Sequence, residues 1–241
     1  MWPSPFCLVD RLVRGGLALP RFAPRACGHT LCRYFQRACS LTFRQKTAFV
    51  FEIDHLAHQQ HDQEEIGLPE GYTFRQADLA DLPGCAEMAG VSLPEYQRRW
   101  RHGDECYVVV RGGRPVNLSW LHFGSCYVCG LGLLVEAPQC ECYLYNVFTD
   151  RAHRGRGLYK VTQRLLKRIL ALRGTTRIRQ VVTVHNAVPL ATLPRLGYRL
   201  TQIVRYRCIL GLNMTASYDA ADGRRLSQRR FWKRPAAMFW I

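Results

Sequence analysis

Residues 143–166 read YLYNVFTDRAHRGRGLYKVTQRLL. The run up to Phe148 is apolar and aromatic, as in a strand. After Gly157 the apolar residues recur at helical spacing, at Leu158, Val161, Leu165, Ile169 and Leu172, with Lys160, Arg164, Lys167 and Arg168 between them. A strand therefore passes through a short loop, Arg154-Gly155-Arg156-Gly157, straight into a long amphipathic helix that Gly174 ends. Glycine lets the backbone pass close to a ligand, and a helix start leaves amide N–H groups unpaired. With the helix dipole, those donors form an anion site suited to a pyrophosphate, and Arg151, Arg154 and Arg156 add positive charge. The two common nucleotide loops do not fit: Lys160 stands where GxGxxG needs its third glycine, and GxxxxGK[ST] has no match.

Around this stretch the chain alternates in a definite order. Residues 71–77 (GYTFRQA) alternate like a strand, residues 78–89 read as a capped helix weakened by Pro83 and Gly84, and residues 94–101 as a second short helix. Residues 106–111 (CYVVVR) form a strand, and Gly112-Gly113-Arg114 turns it into another at residues 116–123. Residues 127–135 and 140–148 are again strand-like. Beyond the long helix come a strand at residues 178–184, a short helix at residues 186–195 broken by Pro189 and Pro194, and a strand at residues 202–210. Strands and helices in this order predict an α+β layer fold, a mixed and mostly antiparallel sheet flanked by helices.

VFTDRAHRGRGLY followed by a long helix resembles the acyl-CoA-binding motif [RQ]xxGx[GA] of the GNAT N-acetyltransferase superfamily. Read from Arg154, the chain has the Arg and Gly157 but Tyr159 at the last small position. Read from Ala152, it has both glycines and lacks the leading Arg or Gln. Two further pieces are similar to the family: a strand before Asn186 and a short helix closed by Leu196-Gly197-Tyr198, and an opening LPEGY at residues 68–72 followed by Asp78, Asp81 and Leu82, as in bacterial-type members. The resemblance covers about residues 68–212 and implies three parts. Residues 1–65 are a basic extension and linker, residues 66–212 the acyl-CoA-binding domain, and residues 213–241 a basic, aromatic tail. On this division residues 1–60 are expected to be dispensable for the fold.

The resemblance also implies a ligand, acetyl-CoA, with the pantetheine arm between two splayed parallel strands. The contacts carried onto this chain are backbone groups of Phe148, Thr149, Arg154, Gly155, Arg156, Gly157, Leu158 and Tyr159, and the Asn186 side chain. Transfer of the acetyl group to an amine needs a base. Glu141, on the strand before the loop and on one face with Tyr143 and Tyr145, holds about the place where many members have one. A general-acid Tyr is expected at Leu193 and is absent; Tyr159 and Tyr198 are the alternatives. The implied activity is an N-acetyltransferase acting on a primary amine of a small molecule or peptide. The rival is a module that keeps the fold and binds CoA or an anion without turnover.

Composition sets the remaining limits. The chain has 241 residues, 34 Lys and Arg against 18 Asp and Glu, and a net charge of +16. Such a chain attracts phosphates, nucleic acid, acidic lipids or a polyanionic cofactor. The basic excess gathers at the two ends. The C-terminal mix of Arg with Phe231, Trp232, Phe239 and Trp240 suits single-stranded nucleic acid or a membrane surface, although aromatics packed on the domain are the favoured reading. Residues 117–135 carry no charge, but Gly124, Gly130 and Gly132 divide them into strands and a turn rather than a membrane span. Eleven cysteines, an odd number, read as reduced thiols of a cytoplasmic protein. Cys126-x-x-Cys129 and Cys140-x-Cys142 have the count for zinc but sit in predicted strands, so no metal is expected. His55, His58 and His61 lie in a polar linker.

Overall fold

Ala48, Phe49, Val50, Phe51 and Ile53 are all buried, and a strand with apolar side chains on both faces belongs in the middle of a sheet. The structure, a computed structural model, describes residues 43–54, 67–128, 130–209 and 212–231. The basic segment before residue 43, the linker at residues 55–66 with its three histidines, Cys129 and the tail from residue 232 lie outside the described residues. In chain order the strands are β1 (Phe43–Asp54), β2 (Tyr72–Gln76), β3 (Glu105–Arg111), β4 (Arg114–Phe123), β5 (Cys126–Val128), β6 (Leu133–Val135), β7 (Glu141–Thr149), β8 (Arg177–Thr183), β9 (Arg199–Ile209), β10 (Leu212–Asp219) and β11 (Arg225–Phe231). The helices are α1 (Leu82–Ala89), α2 (Leu93–Arg101), α3 (Leu158–Leu172) and α4 (Ala187–Thr192). Nine strands form one sheet in the order β11-β10-β9-β1-β8-β7-β4-β3-β2, and β5 and β6 form a separate hairpin. Only β7 and β8 run parallel; every other neighbouring pair is antiparallel. This is the α+β arrangement that the sequence predicts.

The expected boundary at residue 66 does not hold for the sheet. β1 pairs with β8 from Ala48↔Thr183 to Asp54↔Arg177 and with β9 from Phe43↔Ile209 to Glu52↔Arg199. The break in composition after β1 reflects the linker and not the end of the core. The boundary at residue 212 fails in the same way, because β10 pairs with β9 along its whole length and β11 with β10.

Helices cover both faces. Leu82, Cys85 and Ala86 of α1 and Tyr96 of α2 pack with Val108, Leu118, Trp120, Tyr143 and Tyr145. On the other face Leu158 of α3 packs with Tyr72, Val109 and Val116. Val108 and Val109 are strand neighbours and therefore face opposite ways. The buried side of α3 differs from the expected stripe: Leu158, Thr162, Gln163, Leu166, Lys167 and Leu170 are buried, whereas Leu172 is 82% exposed. Three of the six buried residues are polar, and an apolar count cannot find them. No helix among the described residues is long and apolar enough to cross a membrane.

The start of α1 is fixed by charge. Asp78 Oδ1 accepts from the Ala80 and Asp81 amides, and Arg75 places a fork on Asp81 at 2.5 and 2.8 Å. That fork holds the Asp81 carboxyl below its usual range, against the opposing effect of burial. A lowered carboxyl stabilises the fold above its unfolded value, about 3.9, and the stability is lost as pH falls through the folded value. Asp81→Asn is expected to cost about 1–2 kcal/mol at neutral pH, since Arg75 is part-exposed. Urea melts should show the gap between variant and wild type closing below about pH 4. A gap that persists there would remove the ion pair as its cause.

Candidate functional site

β7 and β8 are paired only at Glu141↔Arg177, Cys142↔Ile178 and Tyr143↔Arg179. Beyond Tyr143 they separate, while β8 stays paired with β1 as far as Thr183. The divergence has a local cause in β7. Asn146 takes φ 46°, the only positive φ of a non-glycine among the described residues, and the β4–β7 register shifts between Leu118 and Trp120. A bulge bends its strand and re-aims the residues beyond it. The Asn146 amide donates to the Tyr96 hydroxyl at 2.8 Å, which holds the bulge against α2. Burial pushes the Tyr96 phenol up to about 12.

The cleft so opened leads into a cavity of about 570 Å³. Its walls come from Val147, Phe148 and Thr149 of β7, the loop from His153 to Gly157, the first turn of α3, and Asn186, Val188, Pro189 and Thr192 beside α4. Gly155 and Gly157 have φ 76° and 74°, and a Cβ added to either would meet no protein atom within 4 Å. The protein thus leaves open the space over both glycines. Val161 N–H is bonded to Gly157 O, so the amides of Leu158, Tyr159 and Lys160 ahead of it are the free donors of the helix start. They face a loop that carries Arg154, whose Nε donates to Thr149 O at 3.1 Å and whose guanidinium lies 5.6 Å from the Phe148 ring centre.

A buried amide ties the loop to the sheet. Asn117 Nδ2 donates to Phe148 O at 3.0 Å and to Thr149 Oγ1 at 2.8 Å, while its Oδ1 accepts from Thr162 Oγ1 of α3. Asp150 then caps the turn at Arg151–His153 by accepting from Ala152 N–H at 2.8 Å. One side chain therefore fixes β4, the end of β7 and α3 relative to each other. Asn117 sits mid-strand in the sequence, with nothing around it to mark the role.

Of the nine residues expected to contact a cofactor, Phe148, Thr149, Arg154, Gly155, Gly157, Leu158, Tyr159 and Asn186 line this one cavity. Arg156 does not; it is exposed between the two glycines. Tyr198 also lies elsewhere. It is buried under α3, where its hydroxyl donates to Gln163 Oε1 at 3.3 Å, and burial raises its phenol. Leu193, at the position where a Tyr is expected, is fully buried. Tyr159 does line the cavity, its hydroxyl is buried without a partner among the described residues, and burial holds it protonated.

Glu141 is not brought to the cavity. It stands where β7 and β8 are still paired, six residues before Val147, about 20 Å along a strand. Its carboxylate lies 2.9 Å from Arg179 Nη1 and 3.5 Å from Arg177 Nη1. Glu52 and Asp54 of β1 share those arginines at 2.7 and 2.8 Å. The expected base is thus one member of an ion-pair network joining β1, β7 and β8. Glu141→Gln is expected to cost about 1–3 kcal/mol of stability, because it leaves Arg177 and Arg179 short of one facing carboxylate, and to change acyl transfer less than about tenfold. A loss of kcat of about 10²–10⁴-fold, the range of a general base, with an unchanged melting curve would reverse that assignment.

On the same face, sequence reading missed a cluster. Asp104, at the end of the α2–β3 connection, is buried. It accepts from His122 Nδ1 at 2.7 Å and takes a very short hydrogen bond from the Tyr145 hydroxyl. Burial and then the Asp104 charge hold Tyr145 protonated. Arg99 lies over the rings of Tyr96, Trp120 and Tyr145 at 5.2, 5.8 and 5.2 Å. These residues come from three separate parts of the chain, so no local spacing signals them. Among the described residues no group of three or more His, Cys, Asp and Glu side chains could hold a metal ion. Cys126 and Cys142 are buried thiols, raised by desolvation.

Comparison with solved structures bears on the fold. The tandem GNAT protein from the clavulanic acid biosynthesis pathway is similar at a TM-score of 0.54 and 14% identity, over 80% of this chain and 62% of that one. A GCN5-related N-acetyltransferase from Sphaerobacter thermophilus gives 0.52 and 16%, over 77% and 58%. A Drosophila protein gives 0.51 and 15%, over 75% and 58%. This chain thus spans about three-fifths of the length of these proteins. No family model matches the sequence, and no curated protein matches it. The chain has the GNAT fold.

Proposed function

We propose that this chain is an acyl-CoA-dependent N-acyltransferase that moves an acetyl group from acetyl-CoA to a primary amine of a small molecule or peptide. The observation that carries the reading is the cavity between the end of β7 and α4, closed by a loop with two open glycines and a free helix start. The amides of Leu158, Tyr159 and Lys160 would hold a pyrophosphate, with Arg154 beside them and the Asn186 side chain on the opposite wall. In the transfer the amine nitrogen bonds the thioester carbonyl carbon, the carbon–sulfur bond breaks, the amine loses a proton and the thiolate gains one. Tyr159 is the donor we assign to the thiolate, because the residue lines the cavity; its hydroxyl, buried without a partner among the described residues, has to turn toward the sulfur to act. The six described cysteines are free thiols, which fits a reducing compartment such as the cytoplasm.

A second reading, a CoA-binding module without turnover, is favoured by one pair of observations: Leu193 is packed away and Glu141 is held by two arginines. Turnover separates the two. Full-length protein with acetyl-CoA and a panel of amines, amino acids and peptides should release free thiol only when an acceptor is present. Tyr159→Phe should then lower kcat about 100-fold, the lower end of the acid–base range, with CoA affinity unchanged. CoA binding with no thiol release across the panel would favour the second reading.

A further inference from the structure

We propose that the face of β9, β10 and β11 carrying Arg205, Arg207, Arg225 and Arg230 binds the phosphodiester backbone of single-stranded nucleic acid. The strand register defines this face. Arg205 pairs with Ala216 and Arg207 with Met214. Across β10, Met214 pairs with Arg230, Ala216 with Gln228 and Tyr218 with Arg225. Residues directly opposite each other share a face, so the four arginines stand around Met214, Ala216 and Tyr218. The residues that alternate with these, Val204, Thr215 and Ser217, are buried on the other side. Between Arg205, Arg207 and Arg225 lies a trough of about 140 Å³, where Ala216 leaves room among longer neighbours.

Among the described residues the charge of this face is uncompensated. Elsewhere on the sheet arginines meet carboxylates: Arg177 and Arg199 meet Asp54 at 2.8 and 2.7 Å, and Arg179 meets Glu52 at 2.7 Å. Among the described residues the ion pairs include none for Arg205, Arg207, Arg225 or Arg230. β9 and β11 contain no acid, and the one acid of β10, Asp219, is on the opposite face with Thr215 and Ser217. Arg207, Arg225 and Arg230 are exposed. Arg205 is half-buried and stacks 5.2 Å from the centre of the Tyr218 ring.

The spacing selects a chain of phosphates over a single one. Neighbouring strands are about 4.8 Å apart and a two-residue step covers about 6.7 Å, so the guanidinium groups form an array and not one pocket. Each presents a planar fork suited to phosphate oxygens. Tyr218 adds a ring on which a base can stack, and a base so held must be unstacked, which favours a single strand over a duplex. A membrane surface would need several apolar side chains free to enter the headgroup boundary; on this face Met214 and Tyr218 are only partly exposed, and Ile209, at the end of β9, is its one exposed large apolar side chain among the described residues. The face lies apart from the acyl-CoA cavity, and the proposal does not depend on that reading.

The test is fluorescence anisotropy of a labelled oligouridylate of about 12 nucleotides, within the usual site size. Full-length protein is titrated between about 50 and about 200 mM salt. Binding should weaken with salt, and the log–log slope should fall by about 0.7 for each arginine that loses a phosphate contact. Arg205→Gln with Arg207→Gln, and Arg225→Gln with Arg230→Gln, should each reduce the slope by about 1.4, with the melting curve and CoA affinity unchanged. Tyr218→Leu should weaken binding about 5–100-fold, as expected for one stacked base, with no change of slope. Absence of binding, or a wild-type slope in both double variants, would overturn the proposal. Capture of acidic phospholipid vesicles through the same arginines, without oligouridylate binding, would overturn it in favour of a membrane surface.

Discussion

A chain that begins at residue 55 is expected not to fold, whereas one that begins at residue 42 should melt cooperatively and bind CoA. The difference between them is β1. This strand lies between β8 and β9, and its removal leaves both with a row of unpaired backbone groups in the middle of the sheet. It also removes the side chains of Phe49, Val50, Phe51 and Ile53, all buried. Each contributes about 1.5–3 kcal/mol by burial. Four of them amount to about 6–12 kcal/mol, comparable with the whole stability of a domain, about 5–15 kcal/mol. The network of Glu52 and Asp54 with Arg177, Arg179 and Arg199 is lost with them. Circular dichroism melts of the two chains decide the matter. A cooperative transition in the shorter one would show that β8 and β9 can close on each other without β1.

Gly157→Glu is expected to weaken CoA binding by at least about 100-fold, or about 2.7 kcal/mol, with little effect on folding. Gly157 precedes α3 with φ 74°, so any other residue there is strained by about 1 kcal/mol. A Cβ added there would meet no protein atom within 4 Å apart from its chain neighbours, hence no clash at that atom adds to the strain. It does enter the space over the free amides of Leu158, Tyr159 and Lys160 and puts a carboxylate where a pyrophosphate would sit. Like charge there removes the attraction that the helix start provides. Calorimetric titration gives the affinity and a melt gives the stability. A folded Gly157→Glu variant with wild-type CoA affinity would mean that this loop does not hold the phosphates.

The stretch from Tyr143 to Leu166 was legible because two periods meet there at glycines, and the structure places the strand end, loop and helix start as read. Eight of the nine residues expected at the ligand line one cavity; seven do so for the same reason, being neighbours in sequence placed by local geometry, and Asn186 joins them from the segment after β8. What was not legible depends on pairing across the chain. β1 is an isolated apolar strand after a basic segment and before a polar linker, and nothing local says that it enters the sheet between β8 and β9. Glu141 was placed by strand position alone, whereas its role is set by Arg177 and Arg179, 36 and 38 residues further on. The buried side of α3 was misplaced because Thr162, Gln163 and Lys167 are hydrogen-bonded to Asn117, Gln180 and Leu196 O. Hydropathy cannot anticipate partners from other elements. Asn146 and Asp104 escaped for the same reason: a bulge and a buried carboxylate are properties of the packed sheet.

Amide hydrogen exchange of the full-length protein, with and without saturating CoA, tests the acyl-CoA site most directly, because it locates the ligand without assuming an acceptor. The account predicts added protection in peptides covering residues 147–149 and 154–161 and in those covering residues 186–192, with β9 to β11 unchanged. Protection confined to other segments, or none at a CoA concentration of about 1 mM, the upper end of ordinary substrate affinities, would contradict it.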